Sequence, residues 1–306
     1  MDLFVSIFVG IIVAATPLVF AALGEVVVEK SGVLNLGVEG MMIIGAISGF
    51  AVTLSTGSFI LGVVAAIIAG ALMALLFAII TQSLLANQVA TGLALTMFGL
   101  GLSALIGQSY SGQSLPDFPK VFIPVLSDIP VIGAMFFNFD FLVYGSVALG
   151  LGILWFFKKT RAGLTIIAIG DNHDAAHSIG YPVTLYRYAA VLFGGACAGV
   201  GGAYLSLVQT PLWAENMTAG RGWIALALVV FGAWQPVRAM LGAYLFGGIT
   251  IIQLHSQGFG LALDPQLLST LPYLATIIVL VIISQERGRA RFRAPACLGT
   301  PFYANS

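Results

Sequence analysis

Charged side chains are scarce in this chain. Asp, Glu, Lys and Arg make up 8% of its 306 residues, against about 25% in a water-soluble domain. So little charge cannot coat a surface that faces water. With 59% hydrophobic residues and a mean hydropathy of +1.03, the solvent around most of the chain is lipid. The charge that remains is balanced, 12 basic against 12 acidic residues, so no basic excess points to nucleic acid. Cysteine is nearly missing too. Cys197 lies in a Gly-rich apolar stretch and Cys297 near the C-terminus, which gives neither a disulfide framework nor a zinc site. The chain has no GxxxxGK[ST] phosphate loop, no GxSxG elbow and no HExxH pair, so it lacks the usual means of hydrolysing ATP or cutting a bond. His173 and His177 share one helical face, but no nearby Glu or Cys completes a metal site.

Long apolar runs are abundant. A helix needs roughly 20 apolar residues to cross about 30 Å of hydrocarbon. Runs at 3–23, 59–81, 89–108, 140–157, 186–206, 238–256 and 272–284 qualify, and shorter ones lie at 41–54 and 222–233. The pattern predicts an all-α polytopic transmembrane bundle of about 8–10 spans. Asp2 stands where a secretory signal would carry basic residues, so 3–23 reads as a retained first span. Cytoplasmic loops retain Lys and Arg. Lys158, Lys159, Arg161 and Arg187 fall in the segment 158–187, and Arg287, Arg289, Arg291 and Arg293 follow the last run. With nine crossings, Lys30 and Arg238 also fall inside and only Lys120 and Arg221 outside. That places the N-terminus outside and the C-terminus in the cytoplasm. The division is a transmembrane domain over 1–285 and a cytoplasmic tail over 286–306. The long external loop 109–139 holds Asp117, Asp128, Pro116, Pro119, Pro124 and Pro130, and a stretch (131–137) too short to cross. Gly45 with Gly49 and Gly195 with Gly199 stand at the spacing that lets membrane helices approach closely. The expected use is packing inside one subunit.

Two segments break the apolar pattern. From Gly24, Glu25, Glu29, Lys30, Asn35 and Glu39 interrupt it; from Thr210, Glu215, Asn216, Thr218 and Arg221 do. Each charge facing lipid would cost roughly 2.5–3.5 kcal/mol, so these segments form either a loop at the water boundary or irregular backbone buried in protein. Each ends in a charged residue followed by Gly (Glu39-Gly40, Arg221-Gly222) and then a short apolar run. In the predicted topology the two runs travel in opposite directions, as in an inverted repeat with broken helices. Transporters place solute at such discontinuities. Asn35, Glu39, Glu215, Asn216 and Arg221 are the residues expected to border a translocation path, and Trp213 and Trp223 could stack a ring or anchor at the interface. In the inner segment, residues 172–178 read as a short helix with Asp171 as N-cap, stopped by Gly180 and Pro182. Such a helix suits docking of a partner.

The motifs SGVLNLGVEGMM (31–42), AIGDNHDAAHSIGYPV (168–183) and AGRGWIALALVVFGAWQPVRAMLGAYLFG (219–247) resemble the inner-membrane permeases of bacterial ABC importers for nucleosides and simple sugars. The likeness extends from about residue 10 to 285. Gly170, Asn172, Ala175, Ala176 and Gly180 fit that family's cytoplasmic coupling pattern; Tyr181 and His177 depart from it. The resemblance implies a multi-pass subunit of the bacterial inner membrane that imports a small solute, first a nucleoside and otherwise a simple sugar. It implies a second related permease, an extracytoplasmic solute-binding protein, and cytoplasmic ATP-binding subunits docked around Gly170, Asp171, Asn172, Asp174, Ala175, Ala176 and Gly180. ATP would be used by the partner, with no cofactor bound here. A secondary transporter coupled to an ion through Glu39 is the alternative; a scaffold or intramembrane enzyme has less to support it.

Overall fold

The computed structural model describes residues 2–258 except 123, 125, 128 and 130, then 270, 274, 277, 278 and 294–303. The expected span 272–284, the arginines of the tail, Asp128 and Pro130 lie largely or wholly outside the described residues. Among the described residues, helix is the dominant element, with only two isolated β-bridges. Seven helices there are long and apolar enough to cross a membrane.

The first is α1, Asp2–Lys30. At 1.5 Å per residue its 29 residues span about 43 Å, longer than the hydrocarbon core. It is followed by α2 (Val38–Thr56), α3 (Phe59–Ala78, extended by a π turn to Ser83) and α4 (Gln88–Gly107). A five-residue helix, α5 (Ile132–Phe136), sits in the long loop and meets Phe8 of α1 through Phe136. Next come α6 (Phe141–Lys159), α7 (Arg161–Asp171), α8 (His173–Ser178) and α9 (Val183–Tyr204, extended by a π turn to Gln209). The described helices end with α10 (Arg221–Phe231) and α11 (Pro236–Gly258).

Two expectations are corrected here. The apolar pattern was expected to break from Gly24, yet α1 runs unbroken through Glu25 and Glu29 to Lys30. Both carboxylates are buried against protein, and Glu29 accepts a hydrogen bond from the indole N–H of Trp234. Burial against other helices removes the lipid cost that argued for a break; the irregular backbone is confined to residues 31–37. The second correction concerns the segment 158–187, which holds two further helices, α7 and α8, between the end of α6 and the start of α9. Asp171 is the last residue of α7, and the cap of α8 is Asn172, whose Oδ1 accepts from Ala175 N–H at 2.9 Å.

The core is α1, α2, α3 and α9, packed backbone to backbone. Gly45 of α2 lies directly on Gly199 of α9, and Gly70 of α3 on Gly195 and Gly199. A side chain at either place would run into main chain. The two small-residue stripes are therefore spent on packing inside one chain. Dispersion between closely approached backbones replaces the hydrophobic effect that lipid cannot supply. At the start of α6, the buried Asp140 caps the helix through Leu142 and Val143 N–H and also accepts from the buried Tyr204 hydroxyl at 3.2 Å.

Candidate functional site

The N-terminus of α2 and that of α10 meet. Gly222 is the contact: a Cβ there would lie 2.5 Å from Glu39 N. Glu39, in the first turn of α2, is 2% exposed and spends its carboxylate on the start of α10. Oε1 accepts from the Thr218 hydroxyl at 2.6 Å and Gly220 N–H at 2.8 Å; Oε2 accepts from Gly222 N–H at 2.6 Å. The first N–H groups of a helix have no partner inside it, and the helix dipole favours negative charge there. Glu39 satisfies both requirements across 181 and 183 residues of sequence. The lead-in to α10 suits the task, because Ala219 and Gly220 take left-handed backbone (φ 46° and 83°) and turn the chain onto the carboxylate. Arg221 donates to the carbonyl of Met217 at 2.9 Å.

Beside this junction is a cleft of about 640 Å³ lined by Glu39, Leu100, Asn216, Ala219, Trp223 and Ile224 among others. Trp223 is 43% exposed. Trp213 is instead buried with its indole against Gly107. Nearby, a smaller hollow of about 180 Å³ between α1, α10 and α11 is bordered by Arg221, Gln209, Thr250 and Gln253. A third, of about 530 Å³, has only hydrocarbon and aromatic walls, such as Leu149, Ile153, Phe156 and Phe193, and offers nothing to orient a polar solute.

Of the five residues expected along a path, Glu39 and Asn216 line the larger cleft and Arg221 the smaller. Glu215 is exposed and borders neither. Asn35 is fully buried at the turn before α2, where Oδ1 accepts from Gly37 N–H at 3.0 Å. It shapes the lead-in from behind.

The helices α7 and α8 divide into two faces. Asp171, Asn172, Asp174, Ala175 and Gly180 are exposed, as are Ser178 and Ile179. Gly170 and Ala176 point inward: a side chain at Gly170 would strike the Lys30 carbonyl, and Ala176 packs on Ile169 and Val183. Beneath them is Arg187, fully buried in α9. Its guanidinium donates to Ser31 O at 3.2 Å, Thr300 O at 3.1 Å and His173 Nδ1 at 3.0 Å, with Gln82 Oε1 at 3.5 Å. Because Arg only donates, Nδ1 of His173 is the accepting nitrogen and Nε2 carries the proton, facing Asp174 at 3.4 Å. Burial, reinforced by the Arg187 charge and opposed by Asp174, holds the His173 pKa below its ordinary value. Nothing in the sequence pattern marked Arg187 as more than a cytoplasmic cation. No group of three or more His, Cys, Asp or Glu capable of holding a metal occurs among the described residues.

Comparison with known proteins matches residues 7–283 to a family described as the permease component of branched-chain amino acid transport systems. The chain is 40% identical to a putative glucose ABC transporter permease of Haloferax volcanii, over 93% of each chain. It is 35% identical to a guanosine ABC transporter permease of Bacillus subtilis, over 95% of this chain and 94% of that one. A nucleoside ABC transporter permease of Lactococcus lactis is 34% identical, over 89% and 90%.

Proposed function

The chain belongs to the permease-component family of branched-chain amino acid transport systems, a multi-pass membrane subunit of an ABC transporter, and on that premise we propose that it carries a neutral, ring-shaped polar solute, a nucleoside first and a simple sugar second. The observation that carries this reading is the Glu39 clasp. In transporters built on broken helices, free half-helix N-termini serve the anionic group of the substrate. At α10 that place is taken by the chain's own carboxylate. An amino-acid carboxylate or a phosphate would meet the Glu39 charge where it needs open N–H groups. What lines the cleft is an aromatic residue, Trp223, an amide residue, Asn216, and an apolar wall. A nucleobase or a sugar ring can stack on the first, hydrogen-bond the second and exclude water against the third. The relatives named for guanosine and nucleosides support the first choice, and the one named for glucose supports the second.

In this reading the polypeptide supplies the path and no ATP chemistry. Partner ATP-binding subunits hydrolyse ATP and press on the exposed face of α8, where Asp174, Ala175 and Gly180 lie beside Asp171 and Asn172. A second related permease completes the pore, and an extracytoplasmic binding protein delivers the solute. The N-terminus lies outside and the C-terminus inside, with the transmembrane domain over 1–285. Movement of α8 rocks the α2–α10 junction, which alternately opens the cleft to either side. The ion-coupled alternative requires a carboxylate that can exchange an ion, whereas Glu39 is held by three donors.

Substitution of Trp223 by Ala tests the cleft. Loss of a stacking face worth about 0.5–1.5 kcal/mol lowers solute uptake by roughly 2- to 12-fold, with the amount of chain in the membrane unchanged. Wild-type uptake by that variant would place the solute elsewhere.

A further inference from the structure

The end of the chain returns to α7 and α8. Cys297 N–H donates to Gly170 O at 2.9 Å, at the end of α7, and Gly299 N–H donates to Gly32 O at 3.0 Å, in the turn after α1. Gly299 takes left-handed backbone (φ 76°), which lets the tail make both bonds in three residues. Thr300 O accepts from the buried Arg187. Phe302, 7% exposed, closes the hydrophobic cluster of Ile169, Ala176 and Val183, and its ring meets the edges of His173 and His177 at 5.3 and 5.2 Å. One short segment thus touches α7, α8, α9 and the α1–α2 turn. It takes the inward side of α8 and leaves Asp174, Ala175, Ser178 and Ile179 exposed, so it supports the outward face without covering it.

We propose that residues 294–303 are a strap that binds α7 and α8 to the α1–α2 turn, so that a push on α8 reaches the Glu39 junction as the movement of one body. The inference rests on the reading that α8 receives the ATP-binding partner. Arg187 already spans the joint, from His173 to Ser31 O, and Gly170 presses on the Lys30 carbonyl; the tail adds the two main-chain bonds, an acceptor for Arg187 at Thr300 O and Phe302 packed on α7, α8 and α9. From Gly32 the chain runs only six residues to the start of α2, where Glu39 grips α10. Coupling between distant sites is carried by rigid elements in contact, and the strap stiffens the one at this joint.

The test uses the intact transporter complex in three forms: unaltered, Phe302→Ala, and truncated after Arg293. Two quantities are read, hydrogen exchange of residues 168–180 and 31–36, and solute taken up per ATP hydrolysed. Removing a buried aromatic plug speeds local opening at least about tenfold in both segments together. Uptake per ATP falls by about fivefold, within the range seen for coupling mutations, while the ATP-binding subunit still co-purifies. Exchange and uptake per ATP at unaltered values in Phe302→Ala would overturn the strap, and that variant decides the matter if the truncated chain does not accumulate. Failure of the unaltered chain to hold an ATP-binding subunit would sink the docking reading instead. The strap would then stand or fall on whether the two segments exchange together.

Discussion

At the scale of single residues, Glu39 and His173 do the work that sets them apart from their neighbours. Glu39 accepts three hydrogen bonds at a helix start, and Gln cannot replace it. A Gln amide group would turn its own N–H donors toward backbone N–H, leaving at least one buried donor without a partner. A lost bond to a charged group costs about 1.5–3 kcal/mol, so Glu39→Gln should lower the unfolding temperature of the purified protein, read by thermal denaturation in detergent. An unchanged midpoint would mean the clasp contributes nothing. His173 sets a pH window. Burial favours its neutral form in the folded state, so its folded pKa lies below the unfolded value of about 6.5. Its contribution is complete above that value and is lost as pH falls through the folded pKa. Proteolysis of the tail, which leans on His173 and Arg187, should therefore quicken on acidification below about 6.5. A His173→Gln chain, which keeps an acceptor for Arg187, should lose that acid response. An equal response in both would assign it to another group.

At the scale of elements, helix packing rests on missing side chains. Gly45 and Gly199 touch through their backbones, whereas Gly101 of α4 has open space around it. Gly45→Val should abolish accumulation in the membrane, since overpacking costs about 1–3 kcal/mol or more; Gly101→Ala should be neutral. Immunoblots of membrane fractions check both, and normal accumulation of the Gly45→Val chain would contradict the packing described. The spans themselves were legible because lipid demands long apolar runs. The runs expected at 41–54 and 222–233 became α2 and α10, and the backbone irregularity before each was signalled by its polar lead-in. Glu25 and Glu29 misled, because sequence records a charge but not the helices that cover it. The Asp171–Asn172 pair misled in a smaller way, since both residue types cap helices and only the backbone turn chooses between them.

At the scale of the molecule, each of the two candidate regions is held by contacts that no local pattern foretells. Thr218 lies 179 residues from Glu39 and Thr300 lies 113 from Arg187. The polar residues of both broken segments stood out in the sequence, but their division between the two hollows did not. Phe302 stands in a tail with no helical period to announce a buried position. What unites these contacts is a line from α7 and α8 through the α1–α2 turn to α2 and α10.

The central claim is that the chain's own carboxylate fills the anion-binding place at α10, so that the pore serves neutral ring solutes. The complex, purified with its partners and sealed in vesicles, should be given labelled guanosine, glucose and leucine with and without ATP. The account predicts ATP-dependent accumulation of guanosine or glucose, undiminished by excess leucine. ATP-dependent accumulation of leucine, or its competition with the other two, would contradict it.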